Sequence, residues 1–452
     1  MAKTKGVSKK QPTKLSIRSY QVGFGDCFLV TFHYPDKSDG KPDERHVLID
    51  FGSTAKPERA PSLADVAQQI SADCGGKLAA IVATHRHADH IGGFATNAAG
   101  NAPGDVIRDL KPDLVMQPWT EHPDLDKAAT SLAHVRSTPG TPFGPAQFVA
   151  GLNGMNAVAQ TVKDEVKRLE PLLSQSIRGQ LSFLGETNLK NLPAVKNLMA
   201  MGKAGKAEYL SYGDETHLQK LLPGVKVHVL GPPTTEQYPA VAKQRAKDAS
   251  EFWQIMGVSS ASMSGTALNP FPDAPKSSVT KPPLSARWLM GRISALHGAQ
   301  RMGLVRALDD AMNNTSLILL FQLGGKRFLF PGDAQLENWS YALKDSPEAK
   351  DNRKLLEGTD FYKVGHHGSR NATPKTLWNL FKNRSDDATK RGRLVTAVST
   401  MAGKHGGKDP AAKTEVPRKT LVKALESESN YSTTQDLRKA SELSNLLEFK
   451  LK

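Results

Sequence analysis

The sequence predicts an α/β protein, because patterns typical of strands alternate with a pattern typical of a helix. Strand-like runs, LSIRSYQV, CFLVTFHY and HVLIDFG, fill residues 15–52 and are separated by turns that contain glycine or proline. Apolar residues then recur at helical spacing, at Leu63, Val66, Ala67 and Ile70, and stop at a pair of glycines. The short apolar run LAAIVATH follows and predicts a buried strand.

The alternation resumes further along the chain. We expect strands in DLVMQPW and KVHVLGPP, a hairpin in NNTSLILLFQLGGKRFLFPGD that turns at Gly324 and Gly325, and strands in TDFYKVGHHGS and RGRLVTAVST. A helix in RKTLVKALESES comes after the last of these strands. The regularity lapses between about residues 120 and 222 and between about 234 and 310, where the sequence predicts helical or irregular structure.

The chain is basic, with a formal net charge of +15 that arises from 60 lysine and arginine residues against 45 aspartate and glutamate residues. This balance favours an anionic partner, nucleic acid included, and the alternative is a basic surface that serves solubility alone. Residues 1–14 hold five lysines and no acidic residue, so we expect a disordered basic tail there.

The sequence gives no sign of a membrane protein. No apolar run approaches the roughly 18 residues that a membrane span needs, and the N-terminus lacks the apolar block of a secretory signal. Two cysteines, Cys27 and Cys74, cannot build a disulfide framework, so the expected setting is the reducing cytoplasm. The oligomeric state stays open.

The stretch THRHADHIGG, residues 84–93, concentrates metal-ligand residue types directly after a buried strand. His85 and His87 are two residues apart, so a strand-like backbone directs both rings to the same face and toward one ion. Asp89 and His90 lie in the following turn and could reach a second ion. Imidazole and carboxylate ligands together suit Zn²⁺, and also Mn²⁺ or Fe²⁺. The alternative is a polar loop whose histidines coincide by chance.

Polar residues of the same kind follow three other predicted strands. Asp50 ends one strand, Asp333 follows the hairpin, and His366 and His367 follow the strand in TDFYKVG. Layered α/β folds place their sites at the carboxyl ends of strands, so these residues are candidates for a functional site.

The histidine stretch resembles the signature of the metallo-β-lactamase superfamily, T-H-x-H-x-D-H-I-G-G. Further segments resemble one branch of it, the metallo-hydrolase domain of ComEC-like competence proteins, and they occur in the same order: GFGDCFLV, LIDFGS, NNTSLILL, FPGDAQ and KVGHHGS. The resemblance covers about half of the chain, and it implies a four-layer αββα sandwich over residues 15–452. The stretches 120–222 and 234–310 would then be two largely helical or irregular insertions.

The resemblance also implies a dinuclear site for two divalent ions, Zn²⁺ or Mn²⁺. By position, His85, His87 and Asp333 would hold the first metal ion. Asp89, His90, a bridging Asp333 and one histidine of the pair His366–His367 would hold the second. We favour His366, because it comes first after the strand, and expect His367 to act as a neighbouring group that donates a proton to a leaving oxygen.

Other residues are expected beside the metals. Asp50 would orient the histidine loop from beneath, and Asp26 would serve its glycine turn. Asn313 and Asn314 stand where many superfamily members supply a third histidine, which implies a more oxygen-rich first site and makes Mn²⁺ a candidate beside Zn²⁺. Ser369 could contact substrate or cap a helix.

The function implied by the resemblance is that of a metal-dependent hydrolase in which a metal-bridging hydroxide attacks an ester, with Asp89 or His367 handling the proton. The basic charge favours a phosphoester or phosphodiester substrate, with nucleic acid as a candidate. Two alternatives stay open. The same ligands would serve a lactone or thioester hydrolase, and the chain could instead be a nucleic-acid-binding module with a secondary trimming activity.

Overall fold

The computed structural model of the chain describes residues 10–58, 60–122, 131, 192–242, 312–369, 373–401, 416–437 and 441–451. The first nine residues of the predicted basic tail lie outside these described residues, and so does most of both predicted insertions. In the described part of the chain, no helix is long and apolar enough to cross a membrane.

Seven strands form the first sheet, namely β1 (Lys14–Tyr20), β2 (Cys27–Tyr34), β3 (Asp43–Phe51), β4 (Ala80–Val82), β5 (Leu114–Pro118), β6 (Ala207–Leu210) and β13 (Ser444–Lys450). Their order is β13-β1-β2-β3-β4-β5-β6. Pairing is antiparallel from β13 to β3 and parallel from β3 to β6, so the sheet is mixed.

Six strands form the second sheet, namely β7 (Lys226–Gly231), β8 (Ile318–Leu323), β9 (Lys326–Phe330), β10 (Phe361–Lys363), β11 (Val395–Val398) and β12 (Asn430–Thr433). Their order is β12-β11-β10-β9-β8-β7, with β9 to β12 parallel and β7, β8 and β9 antiparallel. The predicted hairpin is confirmed, because β8 and β9 pair around Gly324 and Gly325, whose φ angles of 53° and 74° suit a tight two-residue turn.

The two sheets pack face to face over one apolar core. In β2, Phe28, Val30 and Phe32 point to this core while Leu29 points to the opposite face, as the period of two in a strand requires. From the second sheet, residues such as Phe321 join the same core. The strand β2 is buried on both faces, which explains why its sequence is almost continuously apolar.

Helices cover the outer faces of both sheets. On the first sheet they include α1 (Leu63–Asp73), α3 (Pro103–Asp109) and α4 (Leu192–Ala204), whose apolar residues belong to one outer core. On the second sheet they include α6 (Leu336–Ser340), α7 (Ala349–Glu357), α8 (Lys375–Leu380) and α9 (Lys419–Glu428). Two short helices, α2 (Ala88–Ile91) and α5 (Leu218–Leu221), lie in loops. The predicted α/β class is confirmed, and two mixed sheets flanked by helices are compatible with the expected sandwich.

The first predicted insertion differs from the structure at its C-terminal end. Residues 192–222 form α4 and β6, and β6 pairs in parallel with β5 as part of the first sheet. Sequence patterning missed this edge strand because it has only four residues, of which Leu210 alone is buried. Helix α4 packs Ala194, Leu198 and Met201 on the outer face of the sheet, so this part of the range belongs to the layered fold.

Candidate metal centre

The candidate site lies where the carboxyl ends of strands from both sheets meet. Asp50 is the penultimate residue of β3, the loop 84–90 follows β4, Asp333 follows β9, and His366 and His367 follow β10. The pairs β3–β4 and β9–β10 are parallel, so their carboxyl ends open on the same edge. Residues up to 317 positions apart in the chain, from Asp50 to His367, therefore become neighbours.

Three groups of side chains bring potential ligand atoms within 4.8 Å of one another. All three groups share His90, which is completely buried. The groups are His85, His90 and Asp333; Asp89, His90 and His367; and Asp26, Asp50 and His90. Such buried clusters of imidazole and carboxylate could hold a metal ion.

Hydrogen bonds orient two of these histidines through Asp50. Its Oδ2 accepts from His90 Nδ1 at 2.8 Å and from the Thr84 hydroxyl at 2.7 Å, and its Oδ1 accepts from the Thr84 backbone N–H at 2.7 Å. Because the Thr84 hydroxyl donates to Asp50, its oxygen is left to accept from His85 Nδ1 at 3.2 Å. Both rings therefore carry a proton on Nδ1 and direct Nε2 into the cluster, the arrangement typical of metal-binding histidines.

His367 is oriented in the same way by a backbone carbonyl. Its Nδ1 donates to Ser399 O at 2.9 Å, and its Nε2 lies 3.1 Å from Asp89 Oδ2 and 4.0 Å from Asp333 Oδ2. The ring is fully buried and packs on Phe24 with 4.3 Å between ring centroids. His367 thus presents one nitrogen to the cluster and uses the other for its own orientation.

The structure brings the other histidine of the pair into the cluster, and not the one that we favoured. His367, and not His366, joins Asp89 and His90, whereas the backbone N–H of His366 donates to Asp333 Oδ1 at 2.9 Å. The physical reason is a turn in which His366 and His367 both have positive φ, 45° and 51°, so the backbone departs from the extended path assumed for a strand end. The role of proton donor that was expected of His367 stays a prediction.

His87 contacts His85 but belongs to none of the three converging groups. The His87 Nδ1 atom is 3.0 Å from His85 Nε2, and the His87 side chain is buried. Two nitrogens at roughly 2.0–2.1 Å from one tetrahedral zinc lie about 3.3 Å apart, so this spacing suits a shared ion. Arg86, between the two histidines, points instead to Glu121, with Nη2 at 2.7 Å from Oε2.

The electrostatics favour the protonation states that metal binding needs at His85, Asp89 and Asp333, and oppose the neutral state at His90. Burial and the neighbouring His90 and His87 hold the pKa of His85 well below its ordinary value, so its ring is neutral. Burial opposes ionisation of Asp89 and Asp333, yet the adjoining histidines hold the pKa of both carboxyls below the usual range. Burial would likewise lower the pKa of His90, but Asp333, Asp50 and Asp26 raise it well above its ordinary value.

The residues that were expected beside the metals lie around this cluster. Asn313 and Asn314 are both buried, and Asn314 Nδ2 donates to Glu337 Oε2 at 3.1 Å. The segment holding both asparagines reaches the site through Ser316, whose Oγ accepts from Asp333 N at 3.2 Å. Ser369 does not cap α8, because Pro374 precedes that helix, and its buried hydroxyl has no hydrogen-bond partner among the described residues.

One group at the site, Lys363, went unrecognised in the sequence. Lys363 is 3% exposed and forms an ion pair with Asp26, whose carboxylate joins the third group and was expected to be only structural. Burial would lower the pKa of Lys363, but Asp26 and Asp333 raise it, so the ammonium is permanent. The sequence pattern that could have revealed Lys363 is KVGHHGS, because a lysine among the apolar residues of a buried strand is rare unless its charge is paired.

Gly52 allows the ligand loop to approach β3. A Cβ atom at this position would lie 2.4 Å from Ala88 O, 2.5 Å from Asp89 C and 2.5 Å from His90 N, all of them backbone atoms of the loop. We expect Gly52→Ala to destabilise the fold by about 1–3 kcal/mol through overpacking and to weaken metal binding by shifting the loop. Urea unfolding and metal titration would measure the two effects.

A matched control for this prediction lies in the same loop. Gly92 has φ of −57°, and the nearest atom to a Cβ there would be 3.9 Å away, an ordinary contact. Gly92→Ala should leave metal binding unchanged. Equal behaviour of the two variants would show that the close approach at Gly52 has no effect on the site.

No protein-family model matches the sequence, and a search of curated proteins likewise found no match.

Proposed function

We propose that the chain is a metal-dependent hydrolase of the metallo-β-lactamase superfamily, in the ComEC-like branch, and that it acts on phosphoesters or phosphodiesters. One observation carries the proposal. Three histidines, His85, His90 and His367, each bind a protein acceptor through Nδ1. The Nε2 atoms of His90 and His367 face the carboxylates of Asp333 and Asp89, and the Nε2 atom of His85 lies 3.0 Å from His87 Nδ1. Such outer hydrogen bonds are typical of metal ligands, and a structural histidine does not require them in this number.

The side chains divide into two ligand sets in the proposal. His85, His87 and Asp333 would hold one ion, and Asp89, His90, His367 and a shared Asp333 would hold the other, with Zn²⁺ or Mn²⁺ as the candidates. The neutral imidazole of His85 and the ionised carboxylates of Asp89 and Asp333 fit these ions. When bound, divalent ions there would supply a water of lowered pKa and Lewis-acid stabilisation of an ester oxygen.

The chain's own residues would orient the reaction around this water. The Asp89 side chain is 15% exposed, whereas those of His90 and His367 are fully buried, so Asp89 lies on the solvent side of the cluster. Its Oδ2 lies 3.1 Å from His367 Nε2, and because Asp89 is the carboxylate of the cluster nearest to solvent, we place proton transfer to and from solvent there. Phe24 covers the ring of His367 and excludes water from behind it.

The substrate class rests on charge. The net charge of +15 would attract and retain polyanions, and phosphoester cleavage develops negative charge that cations stabilise. The lactone or thioester alternative has no such electrostatic support, although the same ligands would serve it.

The decisive experiment combines metal analysis with three substrates. We expect about two metal equivalents per chain, and hydrolysis of bis-p-nitrophenyl phosphate and single-stranded DNA but not of a lactone, with Mn²⁺ and Zn²⁺ added separately. The double variant His87→Ala, Asp89→Ala should lose both metal and hydrolysis. As a matched control, His228→Ala, Asp360→Ala changes the same residue types in the second sheet outside the cluster.

Each alternative has its own result. Hydrolysis of the lactone alone would transfer the proposal to that substrate class. A chain that binds DNA with steep salt dependence, equally in the double variant, and that cleaves nothing would instead be a nucleic-acid-binding module. Metal-free protein with unchanged behaviour in the double variant would refute the hydrolase proposal.

A further inference from the structure

Lys363 ends strand β10 directly beneath the candidate metal centre. Its side chain is 3% exposed, and its Nζ donates to the backbone carbonyl of Gly332 at 3.1 Å. A lysine is rarely buried to this extent unless its charge is paired. The neighbouring carboxylates of Asp26 and Asp333 provide that pairing.

The ion pair between Lys363 and Asp26 joins the two sheets at the site. Asp26 precedes β2 of the first sheet, is completely buried, and donates its backbone N–H to Asp89 O at 2.8 Å. Lys363 belongs to β10 of the second sheet. The pair therefore links the turn before β2 to the strand that leads into the histidine pair.

The two oxygens of Asp333 have different surroundings. Oδ1 accepts from the His366 backbone N–H at 2.9 Å and lies 3.5 Å from Lys363 Nζ. Oδ2 lies 3.0 Å from His90 Nε2 and 4.0 Å from His367 Nε2. Protein donors thus occupy Oδ1, and only Oδ2 faces the other ligand atoms.

We propose that Lys363 is a positioning residue that limits Asp333 to one metal-binding oxygen and keeps Asp26 out of the ligand set. This inference rests on the proposed metal-dependent function and deepens it. Asp26 lies in a group with Asp50 and His90 that could itself hold a cation, and the Lys363 ammonium already compensates its charge. Lys363 thereby separates two carboxylates that would otherwise both be available to an incoming ion.

The physical basis is a fixed charge in a buried site that water does not screen. Four carboxylates, those of Asp26, Asp50, Asp89 and Asp333, lie in the converging groups. An ammonium held by the backbone and by Asp26 cannot be displaced without leaving two buried charges unpaired, which is costly. A divalent ion therefore binds where Lys363 is absent, on the Oδ2 side of Asp333.

The test uses a charge-neutral double variant, because Lys363→Met alone would leave Asp26 unpaired and could prevent folding. In Lys363→Met, Asp26→Asn both charges are removed together, so the net charge of the site is unchanged. The matched control is Lys326→Met, Asp360→Asn, which removes a lysine–aspartate pair of 3.2 Å at the opposite end of the same sheet. Metal affinity by calorimetry and the visible spectrum of bound Co²⁺ are measured for both.

We expect the site variant to bind Co²⁺ and Zn²⁺ about tenfold or more weakly than the unaltered chain, the usual effect of losing an outer partner of a ligand. We also expect weaker Co²⁺ absorption bands, because a freed Oδ1 would raise the coordination number of the ion. The control variant should retain the original affinity and spectrum. Thermal unfolding would verify that both variants are folded.

The outcomes separate this inference from the function on which it rests. If the unaltered chain binds no metal, the proposed function fails. If the unaltered chain binds metal, but the site variant is folded with the same affinity and the same Co²⁺ spectrum, the positioning role of Lys363 is refuted. The role would also be refuted if the control variant lost as much metal affinity as the site variant. The loss would then follow from removing any lysine–aspartate ion pair of this sheet, and not from the position of Lys363.

Discussion

Asp333→Asn should reduce hydrolysis by about 10²–10³-fold while leaving the fold intact. Asp333 is 1% exposed and its Oδ2 faces His90 Nε2 at 3.0 Å, so in the proposal it is the ligand common to both ions. An amide keeps the size of the carboxylate but loses its charge, and metal stabilisation of the transition state is worth several kcal/mol, or about 10²–10³ in rate. Metal content and the hydrolysis rate of bis-p-nitrophenyl phosphate would be measured on the same samples.

The control for this variant is Asp360→Asn. Asp360 lies just before β10 at the opposite end of the sheet, accepts from Arg327 N at 2.9 Å and pairs with Lys326 at 3.2 Å. It should lose some stability but keep both metal and rate. An Asp333→Asn protein with full metal content and full rate would contradict the shared-ligand assignment.

Asp50→Ala should have the largest effect on stability, about 3–5 kcal/mol, because it removes one member of a buried charged network. The Asp50 carboxylate is 1% exposed and accepts from Thr84 twice and from His90 once. Its loss leaves these donors without their acceptor and also frees the rings of His85 and His90. We therefore expect metal affinity to fall as well, by about 10–100-fold.

Denaturant unfolding and metal titration would separate the two consequences, with Asp43→Ala as the matched control. Asp43 is 2% exposed at the other end of β3 and pairs with Arg45 at 2.6 Å. Its loss should lower the free energy of unfolding without changing metal affinity. If Asp50→Ala bound metal as tightly as Asp43→Ala, Asp50 would have no part in orienting the ligands.

Much of the layered architecture could be read from local patterns. The hairpin at Gly324 and Gly325 follows from two apolar runs around a glycine pair, and the helix beginning after Ser62 follows from apolar residues at helical spacing. Patterning failed for the short edge strand β6, because a strand with three partly exposed residues of four shows no clear alternation. Its place in the sheet depends on pairing with β5.

The sequence by itself determined which residue types could form a metal centre and at which strand ends they stand. The spacing of His85 and His87 and the positions of Asp50 and Asp333 after apolar runs were visible without any contact between them. Local order was sufficient there, because strand period and strand direction place side chains on faces and at edges.

Only the tertiary structure decided which atoms converge. It selected His367 over His366, because two successive residues of positive φ turn the chain. It also joined Lys363 to Asp26 across the two sheets, and it set the ring orientation of His85 and His90 through Thr84 and Asp50. These choices depend on contacts between residues far apart in the chain, and no local pattern carries that information.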